Sequence, residues 1–125
     1  MKNTKAILIV SHGSRSSDAI EEFNSVVNLV RLSGEFSIVK GAHMEISQPD
    51  IPSAVKDIAE AGSDEIIVVP YFLFQGNHIK KDIPEILNGL RAIYPNINIK
   101  LSNPIGFEPL MAQILINRAK EVDQQ

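Results

Sequence analysis

The chain has 125 residues, 44% of them hydrophobic and 22% charged, which is the makeup of one soluble globular domain. Its formal net charge of −3 argues against a nucleic-acid partner, which calls for a broad basic face. The absence of cysteine excludes thiolate zinc sites, iron–sulfur clusters and disulfides, and the apolar runs fall far short of the ~20 residues of a membrane span.

Strand and helix patterns alternate from end to end. Met1–Lys5 leads straight into the first strand, about 5–11, with no room for a signal peptide, so the expected location is the cytoplasm. Residues 17–33 carry Ile20, Phe23, Val27 and Val30 on one helical stripe that ends at Gly34. A second strand is expected over 36–46. Ser47-Gln48-Pro49-Asp50 then reads as a capping box with a proline in the first turn, opening a helix that turns Ile51, Val55, Ile58 and Ala59 inward and closes at Gly62. The third strand covers about 64–73. Asp82-Ile83-Pro84-Glu85 repeats the start signal for a helix with Ile86, Leu90 and Ile93, which Pro95 ends. A short strand at 97–101 follows, and after Asn103-Pro104-Ile105-Gly106 comes a last helix with Leu110, Ile114, Leu115 and Val122.

This order predicts a single α/β domain over 1–125, a three-layer α/β/α fold around a four-stranded parallel sheet of order 2-1-3-4, the flavodoxin-like topology. Runs such as Ile7–Val10 and Ile66–Val69 are apolar enough to be buried on both faces. Ligands in such folds bind beyond the carboxyl ends of the strands, at the switch between strands 1 and 3. His12, in Ser11-His12-Gly13-Ser14, and His78, in Gly76-Asn77-His78, both lie on exit loops at that edge. Glu45, at the end of strand 2, is the nearest carboxylate.

Two imidazoles and a carboxylate with open positions suit a borderline divalent metal, with iron, cobalt, nickel and zinc all acceptable. The same group can move protons near neutral pH. His43 is expected in an outer shell or at the rim, on the strand face of Glu45. Arg15, Lys80 and Lys81 supply cations for an anionic ligand, and Ser11 and Ser14 supply hydrogen-bond donors. Tyr71, Phe72 and Phe74 read as core residues of strand 3 and its end, one of them a candidate wall for an apolar cleft. No phosphate-binding G-x-x-x-x-G-K-[ST] and no dinucleotide G-x-G-x-x-G is present. A phosphate-ester hydrolase with His12 as nucleophile would need an arginine before that histidine, where Ser11 stands.

Four segments together resemble the small class II sirohydrochlorin chelatases, the CbiX and SirB type. They are Ser11-His12-Gly13-Ser14-Arg15, Met44-Glu45-Ile46-Ser47-Gln48-Pro49-Asp50-Ile51, Val68-Val69-Pro70-Tyr71-Phe72-Leu73 and Gly76-Asn77-His78-Ile79-Lys80-Lys81-Asp82-Ile83-Pro84. The resemblance implies a chelatase-like fold and ATP-independent insertion of cobalt, iron or nickel into sirohydrochlorin. The metal is then substrate, and no organic cofactor is needed. It carries the metal-binding and catalytic roles onto His12, Glu45 and His78. It also implies a homodimer, because larger relatives hold two copies of the unit in tandem. Unlike some methanogen relatives, the chain has no histidine-rich insertion, which speaks against metal storage. The competing expectation is a non-enzymatic tetrapyrrole- or metal-binding module using the same histidines.

Overall fold

The computed structural model describes residues 5–74 and 76–123, with the side chains of 77–79 left aside. Four strands, β1 (Lys5–Ser11), β2 (Ile38–His43), β3 (Glu65–Pro70) and β4 (Asn98–Leu101), form one parallel sheet in the order β2-β1-β3-β4. Between and after them run α1 (Ser17–Leu32), α2 (Ile51–Glu60), α3 (Asn77–Ile93) and α4 (Pro109–Asp123). The expected α/β topology is the observed one.

The central strands hold the core. Ala6, Leu8 and Val10 of β1 point to one face with Ile66 and Val68 of β3, all fully buried beneath Val55 and Ile58 of α2 and Ile83 and Leu87 of α3. Each large aliphatic side chain buried there contributes about 1.5–3 kcal/mol. Ile7 and Ile9 point the other way and meet Phe23 and Val27 of α1. Only glycine fits at position 41 beneath that helix, since a Cβ there would lie 2.8 Å from the Phe23 ring.

Several boundaries differ from the expectation. β2 stops at His43 instead of 46, because Ile46 takes a left-handed conformation (φ 73°) that no regular strand accommodates. β3 stops at Pro70 instead of 73; β4 ends at Leu101 opposite Val68 and β1 at Ser11, so past a last ladder bond from Tyr71 N–H to Val10 O at 2.7 Å the chain leaves the sheet. Tyr71 and Phe74 are consequently 40% and 80% exposed and are not core residues. The N-cap of α2 is Asp50, whose carboxylate accepts from Ser53 N–H at 2.9 Å, with Pro52 rather than Pro49 in the first turn. α3 begins at Asn77, more than a turn before Asp82, and tolerates Pro84 in its interior. Its buried stripe is Ile83, Leu87 and Leu90, while Ile93 is exposed. α4 forms where expected but has no buried residue. No helix is long and apolar enough to cross a membrane among the described residues.

Candidate metal-handling site at the carboxyl edge

The parallel pairing of β1 and β2 continues past both strands. Met44 N–H donates to Ser11 O at 2.9 Å, and Glu45 N–H donates to His12 O at 3.2 Å. Gly13 makes the approach possible. It sits at φ 108°, and a Cβ there would lie 1.9 Å from the Glu45 carbonyl oxygen. A second clip follows: the Ser47 hydroxyl donates to Ser14 O at 2.6 Å and accepts from Ser14 N–H at 3.0 Å. The two exits are thus sewn together by hydrogen bonds of backbone and the Ser47 hydroxyl, not by core packing.

This seam sets His12 Nε2 3.0 Å from Glu45 Oε1, with both side chains about half exposed (50% and 55%). The edge of Phe72 approaches the imidazole at 6.5 Å between ring centroids. On the α1 side of the pair lies a hollow of about 260 Å³ lined by Ser11, His12, Ser14, Phe23 and Tyr71 among others. On the α3 side lies one of about 180 Å³ lined by Met44, Glu45, Asp82, Glu85 and Ile86. The pair therefore stands between a hollow with aromatic walls and an acidic one. An imidazole beside a carboxylate can ligate a divalent ion when neutral and take up a proton once the ion leaves.

His43 is not at the rim. It is 2% exposed, lies against Phe23 with the rings tilted by 53° at 5.0 Å between centroids, and has Nδ1 2.5 Å from the Ser11 hydroxyl. Burial lowers its pKa below 6.5 and keeps it neutral. It packs toward α1 while Glu45 opens toward α3, so the two do not share a face; the chain leaves regular strand geometry between them.

The other expected residues divide. Ser11 is occupied by His43, and the Ser14 hydroxyl accepts from Ser16 N–H at 3.0 Å. Arg15 is exposed on the β1 exit loop. Lys80 and Lys81 are exposed in α3, and Lys80 lines a separate small hollow with Pro70, Leu101 and Pro104. The backbone of His78 lies in the first turn of α3 and not on a loop, because the helix starts early; its side chain lies outside the described residues. Among the described residues no three His, Asp or Glu side chains gather into a metal-holding cluster, so His12 and Glu45 stand there as a pair. Asp82 and Glu85 were not expected beside Glu45. Their spacing of three on a helix was the available signal, hidden by reading Asp82 as a cap.

Known proteins resemble this chain in sequence and fold. The chain is 33% identical over 137 residues to the sirohydrochlorin cobaltochelatase of Methanopyrus kandleri, covering 93% of this chain and 95% of that protein. It is 30% identical to the chloroplastic sirohydrochlorin ferrochelatase of Arabidopsis thaliana, covering 90% of this chain and 50% of that one. The crystal structure of the sirohydrochlorin chelatase SirB from Bacillus subtilis subspecies spizizenii in complex with cobalt superposes with a TM-score of 0.89 at 28% identity, over 95% of this chain and 51% of that one. The CbiX family model matches residues 6–122, from the first buried residue of β1 almost to the end of α4, and so this chain belongs to the CbiX family.

Proposed function

We propose that the protein is a sirohydrochlorin metal chelatase, inserting cobalt or iron, with nickel also acceptable to its ligands, into the macrocycle without ATP or an organic cofactor. The observation that carries this reading is the His12–Glu45 pair, 3.0 Å apart at the carboxyl edge of a family fold whose relatives bear chelatase names. His12, Glu45 and His78 hold the incoming ion in this reading. Neutral imidazoles present it and accept the two pyrrole protons that insertion releases, while Glu45 completes the coordination or passes protons into the acidic hollow. Arg15, Lys80, Lys81 and the Ser14 hydroxyl receive the peripheral carboxylates of sirohydrochlorin, while the Ser11 hydroxyl stays with His43. Binding energy from those carboxylates supports the bending of the macrocycle that exposes its nitrogen lone pairs. The protein works as a homodimer in the cytoplasm, without nucleic-acid or membrane partners.

The deciding experiment gives the protein a large excess of sirohydrochlorin and cobalt and follows the absorbance of the product. A chelatase turns over many times. Arrest at one equivalent would mean a binding module instead.

A further inference from the structure

The fold repeats itself within the chain. A constant shift of 60 residues, the register that sets Lys5 opposite Glu65, carries β1 onto β3. It also carries Ser17, the start of α1, onto Asn77, the start of α3, and Ile38, the start of β2, onto Asn98, the start of β4. The buried Phe23 and Val27 of α1 fall on the buried Ile83 and Leu87 of α3, on the opposite face of the sheet. Hydrogen bonds repeat as well. Arg31, held by Asn28, donates to Val39 O at 2.8 Å, and Arg91, held by Asn88, donates to Ile99 O at 2.8 Å. Even the seam recurs: Glu45 N–H donates to His12 O at 3.2 Å, and Ile105 N–H donates to Phe72 O at 3.0 Å. The residue that follows is left-handed in both halves, Ile46 at φ 73° and Gly106 at φ 57°. The halves are one backbone frame used twice, related by a pseudo-two-fold axis along the strands between β1 and β3.

What differs is the set of side chains that cross the seam. In the first half His12 meets Glu45, and two bridges flank that pair. The Ser11 hydroxyl lies 2.5 Å from His43 Nδ1, and the Ser47 hydroxyl holds Ser14 O at 2.6 Å and Ser14 N–H at 3.0 Å. In the second half Phe72 and Ile105 stand at the positions of the pair, and Phe74 and Phe107 at those of the two serines, with no polar side-chain atom to bridge with. Tyr71 and Asn103 take the places of Ser11 and His43. The second half shows that the frame forms without such bridges. They occur where the imidazole and the carboxylate are.

We propose that His43 and Ser47 are positioning residues for the His12–Glu45 pair, their bridges holding the two exits at the separation where one ion meets both side chains. The inference rests on the proposed function and names what aligns its site. His12 and Glu45 are about half exposed, so packing does not orient them. Their placement depends on their backbone, and the bridges bracket it: Ser11 directly precedes His12, Ser14 lies two residues beyond it, and His43 and Ser47 lie two residues either side of Glu45. A misplacement of about 1 Å is enough to cost ~100-fold in a reaction that depends on such alignment.

The test reads cobalt binding and turnover separately. Ser47→Ala and His43→Leu should each weaken binding of cobalt alone, followed by its visible absorption, roughly tenfold. Each should also lower kcat for insertion while the KM for sirohydrochlorin stays unchanged. Ser47→Thr keeps the hydroxyl and His43→Asn keeps a group able to pair with Ser11, so both should restore most of the loss. Normal cobalt affinity and kcat in folded Ser47→Ala would overturn the proposal, even if that variant unfolds at lower urea. Failure of both conservative variants to restore function would also overturn it, since side-chain shape and not the bridge would then be at work. If the unmodified protein binds cobalt but never inserts it, the chelatase reading falls, and the affinities alone decide on the bridges. Turnover that survives all four substitutions leaves the chelatase standing and removes the positioning role.

Discussion

The two faces of the sheet are finished to different degrees. Beneath α2 and α3, Ala6, Leu8, Val10, Ile66 and Val68 have no exposed surface at all. Beneath α1, Ile7 keeps 8% and Ile9 5%, and the neighbouring Ile67 and Val69 are only half-buried. One face is closed by the chain itself and carries most of its stability. The other is closed by α1, which packs chiefly on β2 among the described residues. The His12–Glu45 pair sits where these faces meet, held by hydrogen-bonded clips between two exits. Stability and site chemistry therefore rest on different residues.

Substitutions should separate them. The largest effect on stability is expected on the finished face: Leu87→Ala, fully buried, should cost about 2–5 kcal/mol in urea unfolding, against under ~0.5 kcal/mol for Leu29→Ala on the exposed side of α1. Gly13→Ala should act on the site instead. Its Cβ would meet the Glu45 carbonyl at 1.9 Å, force the two exits apart, and lower metal insertion by roughly 100-fold while α2 and α3 stay packed. Gly41→Ala should overpack the α1 face against Phe23 and cost about 1–3 kcal/mol, read from the same urea curves.

A smaller effect is expected with pH. Burial holds the folded pKa of His43 below 6.5, so the unfolded chain takes up this proton first as the pH falls. The stability linked to His43 is complete above about pH 6.5 and is lost as the pH drops from there toward the folded pKa. Urea midpoints at pH 7 and pH 5.5 should converge in His43→Gln relative to the unmodified protein. An unchanged slope would mean that another group carries the acid sensitivity.

The strands and their order were legible because continuous apolar runs admit few alternatives, and His12 was legible because it follows such a run beside a glycine. What escaped the sequence depended on distant partners. The start of α3 was hidden by Pro84, which reads as a first-turn proline yet lies inside a helix held by Ile83 and Leu87. Ser47 reads as a cap and instead clips Ser14 across the seam. His43 is one residue in a strand pattern until Phe23 and Ser11 enclose it. The apolar stripe of α4 reads as a core face in the sequence, yet none of its residues is buried. The placing of His43 on the face of Glu45 drew on alternation along β2 that stops at His43, and the approach of Glu45 to His12 depends on Gly13.

The most direct test of the central claim is the rate of cobalt insertion into excess sirohydrochlorin by His12→Ala, with its urea midpoint measured alongside. His12 is half exposed and outside the core, so the midpoint should not move while most of the turnover is lost. Near-normal turnover by folded His12→Ala would show that the pair at the carboxyl edge does not handle the metal.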